Sequence, residues 1–445
     1  MSRNCHFLFV NPWIHDFAAY DLFYRPLGLL SLAESLANGP ADITVIDLLD
    51  RFNPLWSEMS AHKRDTPAGT GHFYREIIEK PAVLKHIPRY FSRYGAPRVK
   101  VEHILRSLKQ EPDAIFLTSH MTYWYTGVKE TAELLRQFFP GTPIILGGIY
   151  ASLLPAHAQK TIKPDLLIQK HDFTRLSQWL KERFDLSMSQ VNPYHLRKVW
   201  HDFPILKHYP LYTSQGCPYH CAFCAGPILN PVFSQFPVES ILQDIHFACD
   251  TRGLRNFVFY DDALFINREN HIKPLLKKIL QYRKDFTFHS PNGLFARFID
   301  EELAELMAAA HFYEPRLSLE TVSPAYQDLI SHKVNRQSYL KALKHLQKAG
   351  YGSGDIITYL IMGLPDQTPR DVKEAAIVAL NAGSRVSLSA FSPVPGTDLW
   401  AQSGLCDTDD PLLQNNTVYW YSQKNTKAWE SLKLWVKEQN AHLME

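Results

Sequence analysis

The sequence predicts an α/β protein with a doubly wound, Rossmann-like N-terminal domain, a partial six-unit (β/α) barrel and a helical C-terminal tail. Two observations predict this fold. Short apolar stretches alternate with segments of helical period over residues 1–185, and the alternation restarts near residue 205 and continues to residue 400. Residues 186–204 have no clear period and contain two prolines, which is typical of a linker.

The first domain alternates strands with helices. Its predicted strands cover residues 6–10, 42–47, 114–118, 143–146 and 166–169. Its predicted helices cover residues 27–38, 101–109 and 127–139. Residues 51–100 carry Gly, Pro and many charges, and we expect an irregular or helical insertion there. This order predicts a parallel sheet whose ligands bind at the carboxyl ends of the strands.

The second domain contains six strand–helix units, two fewer than the eight that close a full barrel. Its predicted strands cover residues 209–214, 256–260, 285–289, 315–319, 356–361 and 385–391. Helix starts are marked clearly, for example by Thr368, Pro369 and Asp371, which predict an N-cap, a first-turn proline and a first-turn acid. The tail, residues 401–445, is predicted to be helical over residues 426–440.

Composition limits the function classes. Lys and Arg total 47 against 45 Asp and Glu, so the net charge of +2 gives no reason to expect a nucleic-acid partner. We expect no membrane span and no signal peptide, and six cysteines without an export signal predict a cytoplasmic protein with reduced thiols. Aromatic residues make up 13% of the chain, which fits either pockets for flat ligands or a large core.

Three cysteines form the strongest motif. Cys217, Cys221 and Cys224 have the spacing C-x₃-C-x₂-C directly after a predicted strand. Three thiolates on one loop can hold three corners of a 4Fe–4S cubane, which normally takes four cysteines, and the missing ligand leaves one iron open. The alternative is a zinc knuckle that adds His220 to the three thiolates.

With this motif, residues from about 209 to 400 resemble the radical S-adenosylmethionine (SAM) superfamily. The aromatic residue that usually precedes the last cysteine is Phe223 here. The resemblance implies that Cys217, Cys221 and Cys224 hold a 4Fe–4S cluster. It also implies that SAM binds the open iron and is cleaved reductively to a 5′-deoxyadenosyl radical, with electrons from a flavodoxin- or ferredoxin-type donor.

The same resemblance implies a set of SAM contacts at strand ends. The matching positions are Phe223, Asp261, Asp262, Glu320, Ile361 and Gly363, with Asn292 and Arg297 as contacts to SAM or substrate. Each position has a simpler structural explanation, because a carboxylate after a strand often caps the next helix and a glycine before proline often forms a turn. No residue is assigned as catalytic.

The front domain resembles the cobalamin-binding branch of this superfamily. Thr118 and the pair Gly147 and Gly148 keep the separation (147 − 118 = 29) of the hydroxyl and Gly-Gly elements of that branch, which implies cobalamin contacts at these positions. The Asp-x-His-x-x-Gly motif, whose His coordinates cobalt in many such domains, is absent. The domain therefore either binds cobalamin without that ligand or serves as a scaffold.

These resemblances imply a radical SAM enzyme that relays a methyl group through cobalamin to an unactivated carbon of a small-molecule or lipid substrate. One alternative is hydrogen abstraction or rearrangement without cobalamin. A second is a non-catalytic sensor that binds an iron–sulfur cluster or cobalamin.

Overall fold

The structure is a computed structural model that describes residues 5–59, 65–169, 172–282, 285–330, 332–422 and 426–444. The chain forms two compact units. The first unit combines residues 1–207 with residues 410–413, and the second combines residues 208–409 with residues 414–445. Within the described ranges, no helix has both the length and the apolar character needed to cross a membrane.

The first unit contains a doubly wound sheet. Its strands are β1 (His6–Asn11), β2 (Ile14–Asp16), β3 (Tyr20–Asp21), β4 (Asp42–Asp47), β5 (Gly71–His72), β6 (Arg75–Ile77), β7 (Ser92–Tyr94), β8 (Ala114–Leu117), β9 (Ile144–Leu146) and β10 (Leu166–Leu167). Its helices are α1 (Leu27–Ala37), α2 (Arg98–Ser107), α3 (Tyr125–Phe138), α4 (Ile149–Leu153), α5 (Pro155–Ile162) and α6 (Phe173–Phe184). The parallel strands follow the order β10-β9-β8-β1-β4, so the direction of winding changes between β1 and β8.

The parallel sheet matches the prediction, because four of its strands, β1, β8, β9 and β10, are short and mainly apolar runs that are buried along their whole length. Every residue of β1 is buried, and Phe9 stacks on Phe116 of β8 with ring centroids 4.5 Å apart. The insertion at residues 51–100, which was expected to be irregular or helical, does not form a long helix. It forms short antiparallel strands, in which β7 pairs with both β2 and β6. Frequent Gly and Pro prevent a long helix there, and residues 60–64 lie outside the described residues.

The second unit contains the six predicted barrel strands. Its strands are β11 (Tyr209–Leu211), β12 (Ser214–Gln215), β13 (Ser234–Gln235), β14 (Asn256–Phe259), β15 (Thr287–His289), β16 (Arg316–Glu320), β17 (Ile357–Met362) and β18 (Arg385–Ala390). Its helices are α7 (Gly226–Leu229), α8 (Val238–Arg252), α9 (Ile272–Tyr282), α10 (Glu301–Ala309), α11 (Arg336–Lys348), α12 (Pro369–Asn381), α13 (Asn416–Ser422) and α14 (Thr426–His442).

The barrel is incomplete. Its parallel strands form two sheets in the orders β11-β14-β15 and β16-β17-β18, and single bridges join Phe288 to Phe312 and Leu294 to Leu317. Parallel strands place all their carboxyl ends at one edge, which is where α/β proteins build their sites. The cysteine loop after β11, the acids after β14 and the end of β16 therefore share that edge.

Aromatic residues fill much of the barrel core. Phe257, Phe259, Phe288 and Phe312 are at most 3% exposed, and their rings stack at centroid distances of 5.5–5.7 Å. Here the high aromatic content serves packing between neighbouring strands. The predicted cap of α12 is also present, since Thr368 and Asp371 form a reciprocal capping box.

Candidate functional site

The cysteine loop begins at a glycine that the fold requires. Gly216 has φ +77°, and a Cβ there would lie 2.6 Å from the carbonyl oxygen of Val232. Two backbone hydrogen bonds fix the centre of the loop: the amide of Ala222 donates to Leu329 (2.8 Å), and its carbonyl accepts from Leu399 (3.0 Å). The glycine turn and these two hydrogen bonds therefore fix the backbone of the loop.

The three thiols of the loop influence one another electrostatically. Burial raises the pKa of each thiol, that of Cys221 to about 11, and neighbouring cysteine sulfurs raise the pKa of Cys217 and Cys221 further. The amide of Gly226 donates to the sulfur of Cys224 over 3.3 Å and lowers the pKa of that thiol. All six cysteines are free. The three thiols therefore keep their protons until a metal replaces them.

A buried ion pair lies beside these thiols. The ammonium of Lys333 is 3.1 Å from Oε1 of Glu320, and the two side chains are 8% and 12% exposed. Glu320 has φ +61°, and the register of β16 shifts at this residue. Such a conformation is costly for a non-glycine residue and is often found at functional sites.

Lys333 is a site residue that the sequence analysis missed. Burial opposes its charge, but the attraction of Glu320 together with that of Cys221 and Cys224 outweighs this effect and raises the pKa of Lys333. Its positive charge in turn lowers the pKa of all three loop thiols. It lies in a loop with no motif around it, and only its position in the fold reveals it.

The two aspartates after β14 occupy different environments. Asp261 is buried, and its Oδ1 accepts from the hydroxyls of Thr213 (2.7 Å) and Ser214 (2.6 Å), just before the cysteine loop. Burial raises its pKa to about 6. Asp262 is exposed, yet desolvation by the surrounding protein also raises its pKa to about 6, and its charge raises the pKa of Cys217 and Cys224. Asp261 thus braces the loop, whereas Asp262 faces the thiols.

The apolar positions form a wall beside the loop. Phe223 packs against a buried cluster that includes Ala222, Ile361 and Leu364. Gly363 has φ +85°, and a Cβ there would meet no atom within 4 Å. The side chain of Gln367, which the sequence analysis missed, braces this turn by accepting from the amide of Gly363 (2.8 Å).

The two remaining positions in this unit, Asn292 and Arg297, make different contacts. Asn292 donates to the backbone carbonyls of Tyr260 (3.0 Å) and Asp261 (3.2 Å), so it fixes the strand end. Arg297 is exposed and lies 3.4 Å from the hydroxyl of Tyr219 in the cysteine loop. Across the described residues, no three His, Cys, Asp or Glu side chains converge on a single-ion site. A 4Fe–4S cluster instead needs thiolates at separate corners.

In the first unit, the predicted positions lie at the carboxyl ends of β8 and β9. Thr118 is buried and donates its amide to Val10 (3.2 Å), and the amide of Gly147 donates to Leu117 (3.0 Å). Gly148 has φ +96°, and a Cβ there would lie 2.2 Å from the carbonyl oxygen of Ser119. A Cβ at Gly147 would have no neighbour closer than 3.9 Å. Gly148 is thus required by packing, while Gly147 leaves open space.

A polar cluster at the same sheet edge was not predicted. Oδ1 of Asn11 lies 2.8 Å from Nε2 of His120, and Nδ2 of Asn11 donates to Asp47 (2.5 Å). The hydroxyl of Tyr24 contacts both His120 and Asn11. Burial lowers the pKa of His120 to about 4, so the imidazole is neutral at pH 7. The available signal was the placement of Asn11 and Asp47 as the last residues of β1 and β4.

Comparisons with known proteins agree with this geometry. Residues 211–377 match the sequence profile of the Radical SAM superfamily. The chain is 24% identical over 216 residues to cytidylyl-2-hydroxyethylphosphonate methyltransferase of Streptomyces wedmorensis, covering 46% of this chain and 39% of that protein. It is 23% identical over 290 residues to hopanoid C-2 methylase of Rhodopseudomonas palustris strain TIE-1, covering 58% and 51%. This chain therefore spans about half or less of the length of these curated relatives.

Solved structures share the fold over most of the chain. The radical SAM methyltransferase TsrM from Kitasatospora setae superposes with a TM-score of 0.62 at 14% identity, covering 88% of this chain and 75% of that one. The cobalamin-dependent SAM radical enzyme OxsB superposes with a TM-score of 0.56 at 14% identity, covering 98% and 61%. Residues 211–377 are thus similar in sequence to the Radical SAM superfamily, and the solved structures share the fold of the chain around them.

Proposed function

We propose that this chain is a cobalamin-dependent radical SAM methyltransferase that acts on an unactivated carbon. The observation that carries the proposal is the placement of three free thiols on one braced loop, with Asp262, Glu320 and Lys333 in electrostatic reach. Two curated relatives are named as a methyltransferase and a methylase, and solved structures of TsrM and OxsB contain cobalamin.

In the second unit, we assign one set of residues to the cluster and another to SAM. Cys217, Cys221 and Cys224 would hold a 4Fe–4S cluster, which when bound supplies the electron that breaks a carbon–sulfur bond of SAM. Asp262 and Glu320 would accept hydrogen bonds from the amino or ribose groups of SAM. The wall that contains Phe223 and Ile361 offers an apolar surface to the adenine, and the open Gly363 lets the ring approach the backbone.

The first unit would hold cobalamin at the carboxyl edge of its sheet. Thr118 offers a hydroxyl there, and the open space at Gly147 allows close approach of a ligand to the backbone. Cobalamin bound there supplies a carrier for the methyl group. The neutral His120, held beside Asn11, adds a polar contact at this edge.

The partners follow from the chemistry. We propose a small-molecule or lipid substrate, and a flavodoxin- or ferredoxin-type protein as the source of electrons. We also propose a cytoplasmic location, because six free cysteines and an oxygen-sensitive cluster need a reducing compartment.

A second candidate reaction is hydrogen abstraction or rearrangement without methyl transfer. One feature of the first unit favours it. The stretch that most resembles the absent Asp-x-His-x-x-Gly motif contains His72 but lacks the Asp, and His72 lies in β5, where it pairs with Tyr20 of β3. Transfer of a labelled methyl group from SAM to a product supports methylation, whereas 5′-deoxyadenosine and an unlabelled product support the second reaction.

The cysteine assignment is tested by Cys221→Ala, with Cys249→Ala as the matched control. Cys249 is buried on α8 and accepts a hydrogen bond from Arg255, away from the loop. After anaerobic reconstitution, we expect the Cys221 variant to lose iron and SAM cleavage and the Cys249 variant to keep both. Undiminished cleavage in Cys221→Ala would disprove the assignment.

A further inference from the structure

One histidine of the first unit has a ring nitrogen that the protein does not use. His120 follows β8, and its Nε2 lies 2.8 Å from Oδ1 of Asn11 and also contacts the hydroxyl of Tyr24. Among the described residues, Nδ1 of His120 makes no hydrogen bond, and the ring keeps some exposed surface. The second nitrogen is therefore open to a ligand.

This histidine lies where a doubly wound sheet normally binds its ligand. β1 ends at Asn11, β8 ends at Leu117, and the direction of winding changes between these two strands. The crevice beyond the carboxyl ends of such a pair of strands is the usual ligand site of the fold. Asn11 belongs to one strand end and His120 follows the other, so their contact spans this point of the sheet.

A chain of hydrogen bonds determines which nitrogen of His120 carries the proton. Oδ1 of Asp47 accepts from the backbone amide of Leu49 (2.9 Å) and from Nδ2 of Asn11 (2.5 Å). The side chain of Asn11 must then present its oxygen to His120, because a reversed amide would set its oxygen against that of Asp47. Nε2 of His120 therefore carries the proton, and Nδ1 of the neutral ring carries the lone pair.

Metal-binding histidines are held in the same way. Their other nitrogen usually donates to a carbonyl or carboxylate, which fixes the tautomer and the direction of the ring. Here the acceptor is the side-chain carbonyl of Asn11, and the carboxylate of Asp47 holds that side chain in turn. The ring of Tyr24 packs edge-on against the imidazole, with centroids 5.1 Å apart. The imidazole is therefore oriented before any metal binds.

The neighbouring glycine pair leaves room for a large cofactor. Oγ of Ser119 donates to the carbonyl of Gly147 (2.6 Å), so the segment that carries His120 runs beside this pair. A Cβ at Gly147 would have no neighbour closer than 3.9 Å. The open space and the unused nitrogen therefore lie on adjacent segments of the chain.

We propose that Nδ1 of His120 coordinates the cobalt of bound cobalamin. This inference rests on the proposed function, because it requires cobalamin in the first unit. Neutral imidazole is a common ligand of transition metals. The proposal places the ligand after β8 instead of in the Asp-x-His-x-x-Gly motif, which the sequence lacks. An axial ligand tunes the redox potential of a bound metal, so its identity bears on the reaction.

The test is electron paramagnetic resonance of the full-length protein, reconstituted with cobalamin and reduced to the paramagnetic Co(II) state. A coordinated nitrogen splits the cobalt lines into triplets if it is ¹⁴N and into doublets if it is ¹⁵N. Cobalamin carries a nitrogen base of its own, so the protein is labelled with ¹⁵N-histidine and the cofactor is left unlabelled. We expect triplets from the unlabelled protein and doublets from the labelled protein.

Two variants identify the histidine. His120→Gln removes the proposed ligand, and His72→Gln is the matched control, because His72 is an exposed histidine in β5 of the same unit. We expect His120→Gln to lose the splitting that depends on the label and His72→Gln to keep it.

Each other outcome contradicts the proposal in a distinguishable way. Bound cobalamin with no nitrogen splitting, or with a splitting that the label does not change, overturns the ligand and leaves the proposed function intact. A label-dependent splitting that persists in His120→Gln assigns the cobalt to another histidine and also overturns the proposal. Protein that retains no cobalamin contradicts the proposed function and this inference with it.

Discussion

The buried pair of Lys333 and Glu320 gives the sharpest prediction about the cysteine site. Lys333→Met replaces the ammonium with an apolar side chain of similar length. It removes a positive charge that lowers the pKa of all three loop thiols. We therefore expect a variant that folds less stably and assembles the cluster poorly.

The size of the effect follows from the geometry of the pair. At 3.1 Å and an effective dielectric constant of about 20, the attraction between the two charges is about 5 kcal/mol. Removing one member of such a buried pair leaves the other charge without compensation, which typically costs about 3–5 kcal/mol. Lys333→Met should lower the free energy of unfolding by that amount. The double variant Lys333→Met, Glu320→Gln should recover most of the loss.

The assay has two parts. Urea unfolding of the anaerobic apoprotein gives the free energies of the wild type, both single variants and the double variant. Iron analysis after reconstitution then gives the occupancy of the cluster. The matched control is Lys273→Met, because Lys273 is also buried and its ammonium contacts Glu269, Asp300 and Glu302 on the barrel exterior.

We expect Lys273→Met to retain iron like the wild type, whereas Lys333→Met retains much less. Normal iron content in Lys333→Met would refute the role of this lysine at the cluster. Equal stability of Lys333→Met and the wild type would refute the energetic reasoning.

Three further predictions address other positions. Gly148→Ala should lower the free energy of unfolding by more than about 2 kcal/mol, because the residue has a positive φ and the carbonyl of Ser119 lies close to the added Cβ. Gly147→Ala should have the melting temperature of the wild type but retain less cobalamin. Equal melting temperatures of the two variants would contradict this description of the packing. Asp261→Asn should lower both stability and iron retention, because Asp261 accepts the hydrogen bonds that hold the start of the cysteine loop. Asp262→Asn should keep the iron but weaken SAM binding in equilibrium dialysis. The reverse pattern would contradict the two assignments. The pKa of His120 is lowered to about 4 by burial, against about 6.5 unfolded, so the unfolded state binds the extra proton first and stability falls as the pH drops between these values. The gap in unfolding free energy between the wild type and His120→Asn should therefore shrink by about 3 kcal/mol from pH 7 to pH 4, and a constant gap would show that His120 does not titrate as described.

Much of the fold could be predicted from the sequence, because buried parallel strands are short apolar runs between helices of regular period. The strand ends at Asn11, Asp47 and Glu320 lie within a residue or two of the predicted ends. The insertion could not be predicted in the same way. Its strands are two or three residues long, and their pairing depends on residues far apart in the chain, such as Ile14 with Tyr94.

The candidate site was only partly readable. Fixed spacing on one loop makes the three cysteines visible in the sequence. The different environments of Asp261 and Asp262 were not visible, because neighbouring residues after a strand point in opposite directions. Lys333 was missed because it is 13 residues from its partner Glu320 and only the fold brings the two together.

Cofactor content tests the central claim most directly. Protein reconstituted anaerobically with iron, sulfide and hydroxocobalamin, then desalted, is analysed for iron and for cobalamin absorbance in the same sample. The proposed function requires about four irons and about one cobalamin per chain. Four irons without cobalamin would contradict the methyl relay, and protein that retains no iron would contradict the assignment of Cys217, Cys221 and Cys224.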